Sequence, residues 1–171
     1  PGTPYALSKW CADECARLYH KQYSMNIVRE RPFFVIGPRK TGDVCSDLAR
    51  GTVAMERGAA SFISVGNLEV VRDFLDVRDA VRALDAIATR GTPGCVYNVC
   101  SGHGRKIAEI LDCYVSLASV PLRWQQKSAL MRPMDEIARV GEPGRLLALG
   151  WKPSVSWEKT LKDILEYWRQ K

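Results

Sequence analysis

Apolar residues recur at helical spacing over residues 5–23, where Leu7, Cys11, Cys15 and Leu18 fall on one stripe. Pro4 suits the first turn of such a helix, because its missing N–H has no partner to lose there. Residues 26–34 read as a strand, ended by the turn Gly37-Pro38. Asp43 is the expected N-cap of a helix that carries Val44, Leu48 and Met55 and closes at Gly58. Short strands at 61–65 and 70–74 flank a turn at Gly66-Asn67. Asp76 opens a helix with Val77, Val81, Leu84 and Ala88 on one face, broken by Gly91-Thr92-Pro93-Gly94. A strand of the buried type follows at 95–100, then a helix at 106–119 on Ile107, Ile110, Leu111 and Tyr114, and one more short strand at 121–125. Ser156 caps a last helix with Trp157, Leu161, Leu165 and Trp168 as its apolar stripe. Helices and strands that alternate through short connections predict an α/β chain.

At 171 residues the chain is long enough for one domain with a real core. Its 46% apolar and 26% charged content excludes a disordered chain, and no apolar run approaches the ~18 residues of a membrane span. Lys plus Arg number 25 against 19 Asp plus Glu, a formal charge of +6. The basic residues are scattered and carry no aromatic platform, which argues against nucleic acid. A phosphate-bearing small ligand fits better than nucleic acid, but on charge alone mild basicity with no specific role fits better than either. The six cysteines match no zinc spacing, so no metal site is expected and they read as reduced, mostly buried thiols of a cytoplasmic protein. Pro1-Gly2-Thr3-Pro4 lacks the features of a signal peptide, and the chain reads as one entered partway through a longer one. The G-x-G-x-x-G turn that holds a dinucleotide pyrophosphate is absent from it.

Tyr5 and Lys9 stand four apart on the first helix and therefore share a face. A phenol with a pKa near ~10 is a poor acid at neutral pH. An ammonium beside it stabilises the phenolate and makes the phenol a usable proton donor. Taken alone the spacing is also that of an ordinary surface pair. Four further blocks change its weight: Arg31-Pro32-Phe33 leading to Gly37-Pro38; Arg72-Asp73-Phe74 with Asp76-Val77-Arg78-Asp79; Tyr97-Asn98-Val99-Cys100-Ser101-Gly102; and Arg132-Pro133-Met134-Asp135 before Leu149-Gly150-Trp151-Lys152-Pro153. In this order, and with Pro4-Tyr5-Ala6-Leu7-Ser8-Lys9 at their head, the blocks resemble the extended short-chain dehydrogenases/reductases, the NAD-dependent epimerase/dehydratase family. Val65-Gly66-Asn67-Leu68-Glu69 and Ser46-Asp47-Leu48-Ala49 are similar to its GDP-sugar branch, which holds GDP-mannose 4,6-dehydratases and, more closely, GDP-4-keto-6-deoxy-mannose reductases.

The resemblance implies the C-terminal portion of a Rossmann-type NAD(P)-binding fold joined to a small mixed α/β substrate domain. Residues 1–40 would end the Rossmann domain. Residues 41–171 would form the nucleotide-sugar domain, with 70–101 contributing back to the Rossmann sheet. Tyr5 would be the general acid toward a C4 oxygen, and Lys9 would tune it and hold the ribose of NADP or NAD, most of which binds upstream. Pro32 and Phe33 would line the nicotinamide. Arg72 and Arg132 would take the nucleotide diphosphate, a role that suits a permanently charged, forked donor. Asp47 would accept from guanine, although a helix-surface Asp is its ordinary reading, and Val44 and Asn67 would shape the pocket. Phe34 replaces the family's usual Asn, and Glu30 sits on a strand usually apolar, with Arg29 or Arg31 as the expected partner. His20 and His103 show no ligand geometry and read as a solvated helix residue and a loop residue. A family Ser or Thr lies upstream of the Tyr. The expected function is reduction of a GDP-4-keto-6-deoxy-hexose. The alternatives are a 4,6-dehydratase or epimerase of the same superfamily or, in another class, a non-catalytic nucleotide-sugar binding module without a cofactor domain. The parent would be a homodimer, and the 171-residue piece alone would be inactive.

Overall fold

A computed structural model describes residues 2–131 and 136–171. Helix α1 (Pro4–Tyr23) leads to strand β1 (Arg29–Pro32) and strand β2 (Phe34–Ile36). Helix α2 (Val44–Glu56), β3 (Ile63–Val65), β4 (Val71–Asp76) and α3 (Val77–Arg90) follow. Next come β5 (Val96–Val99), β6 (Gly104–Lys106), α4 (Ile107–Leu117), β7 (Trp124–Gln126), β8 (Ala138–Arg139), α5 (Gly144–Leu147) and α6 (Trp157–Arg169). Strand β1 pairs in parallel with β5, and β3 in parallel with β7. Strand β4 is the hub of the third sheet: β2 lies parallel to its C-terminal half, β6 antiparallel and β8 parallel to its N-terminal half. The result is the α/β architecture with parallel pairing that the alternation predicts.

The one strand expected over 26–34 is two. The chain changes sheets at Phe33, whose N–H still donates to Val99 O on β5 at 3.0 Å while its carbonyl accepts from Val35 N–H. Pro32, which has no N–H for a ladder, sits at the break. The strands flanking Gly66-Asn67 do not pair with each other; each goes to a partner elsewhere.

Successive strand residues point to opposite faces, and this places β2 and β4 between two cores. Ile36 and Phe74 join a cluster with Leu48, Val53, Ile110, Tyr114 and Leu161, in which α2, α4 and α6 cover the sheet. Leu75 and the partly buried Val35 join a second cluster with Ala83, Ile87, Val99, Leu146 and Trp151. The caps expected at Asp43 and Ser156 form: Asp43 accepts from Cys45 and Ser46 N–H, and Ser156 from Lys159 N–H.

Three expectations are corrected. The stripe Val77, Val81, Leu84 and Ala88 of α3 faces outward, and the buried face is Asp79, Ala80, Ala83, Ala86 and Ile87. Small alanines let α3 lie close on the sheet. Asp79 is drawn in because it accepts from Ser154 N–H at 3.0 Å and Val155 N–H at 3.1 Å, and Trp151 Nε1 donates to its carbonyl. Second, α1 has no buried residue, so its stripe of Leu7, Cys11, Cys15 and Leu18 is open. Third, the cysteines, all free, divide: Cys45 and Cys100 are buried, Cys11 and Cys15 exposed, Cys95 and Cys113 between. Strands β6 and β8 and helix α5 were not foreseen; β6 and β8 are too short and polar to show a period of two.

Candidate active site and nucleotide cleft

Thr3 caps α1 by accepting Ala6 N–H at 3.1 Å. The helix then presents Tyr5 and Lys9 together, with the Lys9 ammonium 5.7 Å from the centroid of the Tyr5 ring. Tyr5 is 72% exposed, and Lys9 makes no ion pair among the described residues. The exposed phenol and the ammonium over its ring thus stand together on one accessible face of the helix, a proton-bearing group and a cation within reach of one another. The pairing of Glu30 with Arg29 or Arg31 expected above does not form. Both arginines reach Asp13 of α1 instead, because they lie on the strand face opposite Glu30. Partial desolvation raises the Glu30 carboxyl above the usual carboxylate range, and the Lys9 charge partly offsets this.

A cleft of about 480 Å³ is walled by β2, α2, the β3–β4 connection and β4. Val44, Asp47, Asn67 and Arg72 all line it, although they come from stretches far apart in the chain. Asp43 orients the first turn of α2 and so delivers Val44 and Asp47 to the cleft. Asp47 is exposed on the helix surface at the cleft edge; partial desolvation raises its carboxyl, the nearby Asp43 charge raises it further, and Arg50 opposes both. The Asn67 carboxamide oxygen accepts Glu69 N–H at 3.0 Å and shapes the turn. Arg72 is 7% exposed. One of its terminal nitrogens donates to the Val71 and Glu136 carbonyls at 2.8 Å, and its guanidinium lies 5.6 Å from the Phe34 ring centroid.

Gly66 is required by close approach: a Cβ there would stand 2.8 Å from Leu130 O. The 3-10 turn Ser128–Leu130 therefore rests directly on the glycine and brings Leu130 and Met131 over the cleft.

The structure does not gather every candidate residue at one place. Tyr5, Lys9, Pro32 and Phe33 lie outside the cleft lining, and Arg132 falls outside the described residues. Pro32 is exposed at the end of β1, and Phe33 packs against the position of Gly141. His20 is not simply solvated: its Nδ1 is 2.7 Å from Met25 O, and its ring contacts Gly94. His103 is an exposed loop residue, as expected. Sequence reasoning missed Lys40, whose Nζ donates to Val35 O at 2.6 Å at the cleft wall, and the role of Leu130 and Met131. The only signal for Lys40 was a basic residue between Gly37 and Gly42 just before the helix cap.

A sequence model of GDP-mannose 4,6 dehydratase matches residues 1–164. The chain is 35% identical over 174 aligned residues to GDP-6-deoxy-D-mannose reductase of Pseudomonas aeruginosa, covering 100% of this chain and 57% of the relative. It is 24% identical to dTDP-D-glucose 4,6-dehydratase of Mus musculus, covering 99% of this chain and 48% of that protein. Among solved structures, RMD from Pseudomonas aeruginosa complexed with NADPH superposes with a TM-score of 0.92 at 35% identity, over 99% of this chain and 57% of that one. The UDP-glucose 4-epimerase of Thermus thermophilus in complex with NAD gives 0.83 at 25%, over 99% and 55%. The chain thus spans about half the length of the proteins it matches. With Tyr5 and Lys9 together on one helix face and Val44, Asp47, Asn67 and Arg72 lining one cleft, the chain belongs to the GDP-mannose 4,6 dehydratase family.

Proposed function

We propose that this chain is the C-terminal portion of an NAD(P)-dependent oxidoreductase that reduces a GDP-4-keto-6-deoxy-hexose. The observation that carries the reading is the convergence of Val44, Asp47, Asn67 and Arg72 on one cleft. Asp47 accepts from the guanine N1–H and amino group, a donor pair that among the common bases only guanine offers a carboxylate. Arg72, and with it Arg132, binds the diphosphate, while Val44 and Asn67 fix the shape around the nucleotide. Tyr5 donates its proton to the C4 oxygen, and Lys9 stabilises the phenolate left behind. The same ammonium, which forms no ion pair among the described residues, suits a ribose hydroxyl. Pro32 and Phe33, at the end of β1, line the nicotinamide side. The bound nicotinamide cofactor supplies hydride; NADPH and NAD are both found in structural neighbours.

This reading divides the chain into residues 1–40, ending the cofactor domain, and 41–171, the nucleotide-sugar domain, with 70–101 returning to the cofactor sheet. The β1–β5 pairing, which crosses that boundary, supports it. The intact protein acts as a homodimer through the open apolar side of α1, where Leu7 and Trp10 are 48% and 54% exposed. Free thiols and the lack of a helix long and apolar enough to cross a membrane among the described residues support a cytoplasmic setting. Thermal shift of the full-length protein with GDP-, UDP- and dTDP-sugars tests the substrate class. A clear preference for GDP-sugars is expected, and equal shifts defeat the guanine assignment. Product analysis distinguishes reduction from 4,6-dehydration, the reaction named for several relatives.

A further inference from the structure

Helix α1 carries the reactive pair yet has no buried residue, so apolar packing within this chain does not fix its position. What joins it to β1 is ionic. Tyr5, Lys9 and Asp13 follow one another at intervals of four and share one helix face. Asp13 Oδ2 accepts from Arg29 Nη1 at 2.9 Å and from Arg31 Nη2 at 2.7 Å, and its Oδ1 accepts a longer bond from Arg31 Nε at 3.4 Å. Arg29 continues the link: its Nη2 donates to Gly94 O at 3.2 Å, in the turn before β5. The carboxylate and the Arg29 side chain are only 14% and 12% exposed, so solvent weakens this junction little. One further contact, His20 on Met25 O and Gly94, holds the far end of the helix.

We infer that Asp13 is a positioning residue for the reaction: its double arginine clamp sets the angle at which α1 presents Lys9 and Tyr5. The clamp lies one turn from Lys9 and two from Tyr5, so a slight rotation about it displaces the phenol most. Asp13 is held ionised across the working range, since Arg31, by hydrogen bond and charge, keeps its carboxyl below the usual carboxylate value despite partial burial. The nucleotide cleft shares no lining residue with the clamp, so binding of the nucleotide sugar and presentation of the acid are separable.

This inference rests on the roles proposed for Tyr5 and Lys9, and the experiment separates the two. In the full-length enzyme, Asp13→Asn is expected to lower kcat roughly 10- to 100-fold, the scale of a small misplacement of reacting groups. KM and the dissociation constant for the nucleotide sugar should be unchanged. A merely structural role would move kcat and KM together with the melting temperature, whereas misplacement of the acid moves kcat alone. Asp13→Glu should restore most of kcat. If Asp13→Asn fails to fold, Arg31→Gln removes the more exposed donor, whose side chain is 52% accessible, and should lower kcat in smaller measure with KM again unchanged. Unchanged kcat, or a fall in kcat accompanied by an equal loss of nucleotide-sugar binding, overturns the inference. Tyr5→Phe is the control: if it keeps activity the reading of Tyr5 fails, and if it is inactive while the Asp13 variants behave as wild type, only the clamp fails.

Discussion

At the residue scale, two carboxylates of this fold have different tasks. Asp47 is an exposed residue at the edge of the cleft, where partial desolvation and its neighbour Asp43 hold its carboxyl above the usual range. A carboxylate that accepts from guanine must be ionised. Affinity for a GDP-sugar is therefore expected to fall at mildly acidic pH, as protons enter a carboxyl whose pKa is raised. Calorimetry across pH should show that decline in the native protein. In Asp47→Asn the affinity should be weak at every pH and the slope absent. Asp73 has another task. It is fully buried and accepts from Ser101 N–H and Oγ–H, Gly102 N–H and Gly141 N–H at 2.6–3.1 Å. Asp73→Ala leaves several buried donors unpaired at ~1–3 kcal/mol each, so urea unfolding should show a loss of at least ~3 kcal/mol. Asp47 was legible in the sequence because its block is local. Asp73 was visible only as part of an Arg-Asp-Phe block: its partners lie 28 to 68 residues away, and no local pattern joins them.

At the element scale, the sequence showed which residues share a helix face but not which face turns inward. On α3 the bulky stripe looks outward because alanines allow close approach and Asp79 is hydrogen-bonded to the loop before α6. On α2, α4 and α6 the apolar stripe and the buried face coincide, and those helices were legible. Their ends are joined by Arg169. It bonds Glu56 through Nε at 2.9 Å and through Nη2, and it donates to Leu117 O at 2.8 Å, while Glu56 also accepts Ser119 N–H at 3.0 Å. A side chain at the end of α6 thus closes the last turns of α2 and α4. Arg169→Met should reduce stability by ~2–3 kcal/mol in urea, the range of a lost hydrogen bond to a charged group. It should also change the acid response. Arg169, assisted by Ser119, holds the Glu56 carboxyl below its ordinary value, so the stability it contributes is present above that value and is lost as pH falls through the lowered one. The native chain should therefore lose stability below about pH 4, and the variant should lose less over the same interval.

At the scale of the whole molecule, the two cores meet along β2 and β4 but do not share the helices that cover them. Helices α2, α4 and α6 supply the larger cluster, whose Ile36, Leu48, Val65 and Phe74 also line the cleft. Helix α1 contributes to neither cluster and is held by Asp13, His20 and little else within this chain. Local stability should follow that division, because amide exchange is slow where opening exposes buried apolar surface and fast where it does not. In the isolated 171-residue chain, backbone amides of α4 and α6 are expected to exchange last and those of α1 early. A GDP-sugar seated in the cleft should slow residues around Val44, Asp47 and Asn67, which line it, yet leave α1, which does not, exchanging as before. On the proposed roles, the isolated chain should bind the nucleotide sugar without turning it over: Tyr5, the proposed proton donor, is on a loosely held helix, and no phosphate-binding glycine turn occurs in these 171 residues. Protection of α1 equal to that of α4, measured by mass spectrometry without ligand, would show that this helix has a firmer seat than its contacts provide.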